Sequence, residues 1–312
     1  MRILITGVAG FLGSHLADSL INNNHEVIGI DNLYTGSKMN LNELSNHKNF
    51  KFYEADVTSK LDFNVDAIVN MACPASPVHY QKDPVRTART NFLGILNCLD
   101  LANKLNIPVL QSSTSEVYGD PNVSPQTENY WGNVNPIGIR SCYDEGKRVA
   151  ETLMYDYHRQ FGTKIKIARI FNTYGPRMDL NDGRVVSNFI FQALKDEPIT
   201  IFGDGLQTRS FCFVSDMVVA INKFLTATDE ITGPINLGNP AELNMLELAE
   251  LIITLTLSKS KIVKLKLPQD DPKQRRPDIS LAKATLNWEP KVSLEEGLNL
   301  TIADFRNRIA KL

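Results

Sequence analysis

The octapeptide Thr6-Gly7-Val8-Ala9-Gly10-Phe11-Leu12-Gly13 constrains the fold of this chain more than any other stretch. It follows an apolar, β-rich run from Arg2 to Thr6 and opens a helical pattern from Phe11 to Ile21. Glycines at such a junction permit a tight turn and let backbone amides approach a pyrophosphate at the positive end of the helix. Gly7, Gly10 and Gly13 therefore predict a dinucleotide site at the start of a parallel α/β sheet. Asp31 ends the next strand-like run, Val27 to Ile30, about twenty residues on, where a carboxylate meets the adenosine ribose hydroxyls. A carboxylate there repels a 2′-phosphate, and no Arg or Lys follows immediately, so the cofactor expected is NAD. Asp56, after a third strand, has two readings: a ligand for the adenine edge or an ordinary turn residue.

Short β-rich runs and longer helical patterns alternate through the first half: Phe50 to Tyr53, Ala67 to Val69, a helix from Pro84 to Leu105, Pro108 to Gln111, a helix from Tyr143 to Phe161, and Lys164 to Ile170. This alternation reads as βαβ units. It predicts an α/β fold, a Rossmann-type doubly wound parallel sheet with a smaller, interleaved C-terminal substrate-binding lobe. After Tyr174, Gly, Pro and Asn become denser and the strands shorter, as in Pro198 to Phe202 and Pro234 to Leu237, with helices near Ser215 to Leu225 and Met245 to Thr254. The expected division is 1–175 for the cofactor, with a return segment at about 211–238, and 176–210 plus 239–312 for the substrate.

A formal net charge of -2 gives no basic footprint for nucleic acid. No run approaches the roughly 18 apolar residues of a membrane span. The first strand begins at Arg2, which leaves no room for a secretory signal, so a cytoplasmic protein is expected. Cys73, Cys98, Cys142 and Cys212 lie far apart without metal-ligand spacing, so no metal is expected.

Tyr143 and Lys147 stand four residues apart on one face of a predicted helix. A phenol with a reference pKa near 10 must be acidified to act as a base at neutral pH, and a nearby ammonium favours the phenolate. Upstream, Ser112 to Gly119 follows a strand and so lies at the carboxyl edge of the sheet, where open α/β folds bind ligands.

The spacing of Thr6 to Gly13 resembles the TGxxGFxG of the extended short-chain dehydrogenase/reductase family. That likeness implies that Thr114 works with Tyr143 on a sugar C4 hydroxyl while Glu116 handles protons near C5. The 4,6-dehydratases carry Asp-Glu where this chain has Ser115-Glu116, and the 4-epimerases usually lack both acids. Longer stretches are similar to the UDP-glucuronate decarboxylases: ACPASP (72–77), YWGNVNPIG (130–138), RSCYDEGKR (140–148), ARIFNTYGPRM (168–178) and DGRVVSNF (182–189). Departures are mild, at Ala55-Asp56-Val57 and Asn70-Met71-Ala72, where the family often has His in place of Ala55 and of Asn70.

This resemblance implies further cofactor contacts from Phe11, Leu12, Asn32, Thr35, Gly36, Val57, Ala72, Asn91 and Thr173. For the UDP-sugar it implies Pro74, Ser76, Asn172, Val186, Phe202 near uracil, Gln207, and Arg209 on the diphosphate. Arg275, in Arg275-Arg276-Pro277-Asp278, and Arg140 stand as the cations for carboxylate or phosphate, since a guanidinium binds both in bidentate fashion. The implied reaction oxidises C4, loses carbon dioxide from the 4-keto sugar, returns a proton to C5 from Arg275 or from a water held by Glu116, and reduces C4 again. An oxidative decarboxylase that releases the keto sugar and NADH uses the same residues; a dehydratase or epimerase is disfavoured at Ser115 and Glu116, and a non-enzymatic NAD sensor by the intact Tyr143, Lys147, Thr114 and Glu116. The resemblance also implies a homodimer through helices near Asn91 to Leu105 and Tyr143 to Phe161. His79 and His158 are read as structural.

Overall fold

Strand β1 (Arg2–Thr6) has four of its five residues buried, as a central strand covered on both faces must. The computed structural model describes residues 1–266 and 274–311, and the 267–273 part of the expected substrate lobe lies outside the described residues, as does Leu312. After β1 come α1 (Phe11–Asn22), β2 (Glu26–Asp31), β3 (Phe50–Glu54), β4 (Ala67–Asn70), α2 (Pro77–Lys82), α3 (Pro84–Leu105), β5 (Val109–Thr114), α4 (Ser141–Phe161) and β6 (Ile165–Ile170). The C-terminal part holds β7 (Thr173–Tyr174), α5 (Val185–Leu194), β8 (Ile199–Phe202), β9 (Thr208–Ser210), β10 (Cys212–Phe213), α6 (Val214–Leu225), β11 (Ile235–Leu237), β12 (Glu242–Asn244), α7 (Met245–Thr256), β13 (Ile262–Leu265), β14 (Gln274–Arg275), α8 (Ser280–Leu286) and α9 (Leu294–Ile309).

The main sheet has seven parallel strands in the order β11-β6-β5-β4-β1-β2-β3. The order reverses beside β1, so the ends of β1 and β4 frame a crevice above the carboxyl edge. Period-two alternation sends Ile3 and Ile5 to one apolar layer, with Leu16 of α1 and Phe224 of α6, and Leu4 to the other, with Leu99 of α3 and Met154 of α4. The expected doubly wound α/β architecture is what the chain forms.

Element ends follow local chemistry. Pro84 opens α3 behind Asp83, whose side chain accepts from Arg86 N at 3.0 Å, and Asn106 closes it in the left-handed region at φ 53°. Helix α4 starts at Ser141, two residues before the sequence pattern, and stops at Gly162, φ 70°. β5 outruns its expected end because the hydroxyl residues Ser112, Ser113 and Thr114 keep their ladder with Ala168, Arg169 and Ile170. The chain then turns through a 3₁₀ segment, Ser115–Tyr118, where the Thr114 hydroxyl accepts from Glu116 N at 3.2 Å. That turn carries Glu116 to the carboxyl edge.

Smaller ladders complete the second half: β12-β9-β14, β13-β8 and β10-β7. The parallel pairing of Arg275 with Arg209 ties β14 to β9 and so sets Arg275 opposite the main sheet's edge.

Leu99, fully buried between α3 and the sheet, tests the packing. Leu99→Ala is expected to cost about 2–5 kcal/mol in denaturant unfolding. Lys104→Ala, on the same helix as Leu99, breaks an exposed pair with Asp62 of a distant loop and is expected to change stability by less than about 0.5 kcal/mol.

Candidate active site

Above the carboxyl edge lies a chamber of about 860 Å³, within the usual range for small-molecule sites. A side pocket of about 60 Å³ continues it beside Asp31. Both reach the glycine turn.

The turn is built for a ligand that needs bare backbone. Gly7 has φ 70°, and a Cβ there would come within 2.8 Å of the Ala72 backbone. A Cβ on Gly13 would lie 2.2 Å from the Gly7 carbonyl oxygen, so the helix start could not pack against the turn. The buried Asp31 carboxylate accepts from Ala9 N at 2.9 Å and Leu33 N at 2.8 Å, so it clamps the turn and faces the side pocket. Burial pushes its carboxyl up, with the two amides opposing. Phe11, Leu12, Thr35, Gly36 and Thr173 line the chamber, while Asn32, Val57, Ala72 and Pro74 line the side pocket. These residues suit a dinucleotide, with its pyrophosphate on the turn and its ribose at Asp31.

Two expected cofactor residues stand off the walls of these cavities. Asp56 accepts from Thr58 N at 2.9 Å, from the Thr58 hydroxyl at 2.8 Å and from Asn32 Nδ2 at 2.8 Å, so it shapes a turn and orients Asn32. Asn91 is buried beneath Gly146, where a Cβ would lie 2.6 Å from its Nδ2, so it sets the seam between α3 and α4.

At the other end of the chamber, Tyr143, in the first turn of α4, stacks on Tyr80 with ring centroids 5.1 Å apart and an interplanar angle of 6°. Its phenol lies close enough to Thr114 for that hydroxyl to favour its ionisation. Burial pushes the phenol up, and Cys73 and Glu116 add to this; Thr114 and the Arg184 guanidinium pull the other way. Lys147 donates to the Ser112 carbonyl at 2.8 Å and places its ammonium 5.8 Å from the Tyr143 ring centroid, so its charge acts across the ring. Burial lowers its own pKa.

Glu116 is the electrostatic centre. Arg140 Nη2 donates to its Oε2 at 2.5 Å, and Arg275 Nη1 donates to its Oε1 at 3.1 Å. Burial opposes its ionisation, but Arg275 and Arg140 together outweigh that and hold the carboxyl well below the usual range. Arg140 is held charged by Glu116 in turn, against the effect of burial.

Asn172, Val186, Phe202, Gln207, Arg209 and Ser76 also line the chamber. Gln207 Nε2 donates to the Phe202 carbonyl at 2.6 Å, while its buried Oε1 has no hydrogen-bond partner among the described residues. A ligand N–H can supply one. His158 caps α4 through Nδ1 and the Thr163 carbonyl at 2.9 Å, whereas His79, bonded to the Ser76 hydroxyl at 2.9 Å, lies on the chamber wall.

Three residues at this site went unnoticed in the sequence. Arg184 is held by both oxygens of Asp182 and lies close enough for its charge to favour ionisation of Tyr143. Its signal was present in DGRVVSNF, ahead of Val186. Tyr80 carried none, since a lone aromatic in a short helix reads as core. Asp144 adjoins Tyr143 in sequence, and neighbours on a helix point to different faces.

Residues 3–238 match the NAD dependent epimerase/dehydratase family. UDP-glucuronic acid decarboxylase 6 of Arabidopsis thaliana is 58% identical over 310 residues, covering 99% of this chain and 90% of its own. UDP-glucuronic acid decarboxylase 1 of Danio rerio is 53% identical over 308 residues, 99% of this chain and 73% of its own. The crystal structure of UDP-glucuronic acid 4-epimerase from Bacillus cereus, in complex with UDP-glucuronic acid and NAD, superposes with a TM-score of 0.89 at 29% identity, covering 99% of this chain and all of that one. Among the described residues no helix is long and apolar enough to cross a membrane, and no cluster of ligands for a metal is present.

The role of Asp31 is directly measurable. Asp31→Asn is expected to weaken binding of NAD by about 1.4 kcal/mol, or tenfold, and to weaken that of its 2′-phosphate less, by calorimetry. Equal losses for both would contradict the ribose assignment.

Proposed function

This chain belongs to the NAD dependent epimerase/dehydratase family, and on that premise we propose that it converts UDP-glucuronate to UDP-xylose and carbon dioxide. The observation that carries the reading is the wall formed by Arg140, Glu116 and Arg275 beside Tyr143 and Thr114. Guanidiniums there suit a sugar carboxylate next to the carbon on which the phenol acts. Relatives named for this decarboxylation are 53–58% identical to the chain over 99% of its length.

NAD, when bound on the glycine turn, supplies the hydride acceptor and donor for sugar C4. Tyr143, beside Thr114, receives the C4 hydroxyl proton and later gives it back. Lys147, anchored on the Ser112 carbonyl, keeps a positive charge behind the phenol. A ketone at C4 lies β to the carboxylate, so the C5–C6 electron pair moves into an enolate as carbon dioxide leaves. Arg275 and Arg140 orient the carboxylate, and Glu116 lies beside the carbon that must be protonated. Arg209, Asn172, Gln207, Phe202 and Val186 take the UDP, with Ser76 and Pro74 beside the sugar and Asn32, Thr35, Gly36, Val57, Ala72 and Thr173 around the dinucleotide.

The division into 1–175 with 211–238 for the cofactor and 176–210 with 239–312 for the substrate belongs to the same proposal. It is supported by β11, which leaves the second half to pair with β6. A homodimer through α3 and α4 is proposed too, favoured by Val85 and Phe92 of α3, which are 66% and 42% exposed. Light scattering is expected to give twice the monomer mass at micromolar concentration; a monomer there rejects the dimer. Four unpaired cysteines suit a reducing, cytoplasmic setting.

Purified protein with UDP-glucuronate and trace NAD is expected to form UDP-xylose without net NADH. One NADH per carbon dioxide marks the oxidative variant instead, and an untouched substrate rejects both. Tyr143→Phe is expected to lower turnover by about 10²–10⁴-fold while NAD still binds. Activity that survives this change contradicts the role given to the phenol.

A further inference from the structure

Two carboxyl groups meet behind the chamber wall. Glu116 lines the chamber; Asp144, one residue past Tyr143 on α4, does not, and is only 7% exposed. The two carboxyls lie close enough for each to shift the ionisation of the other. Ionised carboxylates only accept, so a hydrogen bond between the two would require that one hold a hydrogen. Asp144 Oδ1 is buried with no hydrogen-bond partner among the described residues, a setting that disfavours the anion.

The surroundings decide which one is neutral. Both oxygens of Glu116 take guanidinium donors. For Asp144, burial and then the Glu116 charge push the carboxyl well above the usual range, and Arg140 and Arg275 offset only part of this. The other titratable groups around it are Tyr80 from α2 and the adjacent Cys142, both pushed up by burial and hence neutral near pH 7.

We propose that Asp144 is the proton reservoir of this site: a neutral acid that donates to Glu116 and passes its hydrogen, through Glu116, to the sugar carbon from which carbon dioxide has left. This rests on the decarboxylase reading. The C5–C6 bond breaks and its electron pair forms the C4–C5 enolate. The Asp144 O–H bond breaks as its hydrogen moves to a Glu116 oxygen, and that O–H bond breaks in turn as the C5–H bond forms, which returns Glu116 to its anion. Asp144 is left ionised and recovers one proton from solvent, the proton that converting a carboxylate to C–H and carbon dioxide consumes. Asp144 touches neither substrate nor cofactor; it is a positioning residue that acts through Glu116.

Asp144→Asn keeps a hydrogen-bond donor but cannot hand over a proton. Its kcat is expected to fall about 10²-fold, the usual range for a lost acid, with KM for UDP-glucuronate changed roughly threefold or less. Enzyme-bound NADH should build up during turnover, and the alkaline fall of the wild-type kcat profile should vanish. Two readouts need no turnover. Infrared spectra at pH 7 should show a neutral carboxylic acid in the wild type that Asp144→Asn lacks. A carboxyl whose folded pKa is raised stabilises below its unfolded pKa and loses that contribution as pH rises toward the folded value, so wild type should lose stability relative to Asp144→Asn over that window. Wild-type kcat and pH profile in the variant, or no neutral carboxyl band in the wild type, overturns the proposal. If wild type makes no UDP-xylose, the decarboxylase reading fails, and the infrared and stability comparisons still decide where the hydrogen resides.

Discussion

The carboxylate of Glu116 joins three parts of the chain that are remote in sequence: the turn after β5 that carries it, the residue before α4, and β14 of the second half. Its two guanidinium bonds fix where the C-terminal part stands over the main sheet. Removing one partner from a buried ion pair generally costs about 3–5 kcal/mol, because the other charge stays out of water. A site held in this way has its charges placed before substrate arrives. Preorganised charge of this kind stabilises developing charge without moving during reaction.

Around that centre the work divides by place in the fold. The glycine turn and Asp31, at the ends of β1 and β2, line the cavities in which the dinucleotide is proposed to lie. Tyr143 and Lys147, on the first turns of α4, face it from the opposite wall. The Arg209 and Arg275 strands close the chamber from the second half. Under the proposed function, hydride chemistry at C4 and carboxylate chemistry at C5 meet at one sugar ring, between the phenol and the guanidiniums.

Much of this was legible in the sequence where the signal is local. Short β-rich runs located β1, β2, β3 and β4 to within about a residue, and the helical pattern from Pro84 to Leu105 matched α3. Elements without a local signal were missed. The β-branched start of α5 reads as a strand, the short α2 carries no period, and the hydroxyl end of β5 reads as a loop although its ladder continues. The site was legible as a set of residues and not as a set of contacts. Arg140 and Arg275 were expected at a substrate anion, yet their bonds to Glu116 span 24 and 159 residues, and only the folded sheet brings the second pair together. Asp144 shows the same limit at short range, since its partner lies on another element.

On the proposed function, the Glu116 centre serves loss of the sugar carboxylate. The most direct test is ¹³C NMR of the enzyme acting on UDP-glucuronate labelled at C6. The predicted result is label leaving the sugar as carbon dioxide and bicarbonate, in step with UDP-pentose formed. Label retained in a UDP-uronate inverted at C4 would contradict the claim and make the chain an epimerase.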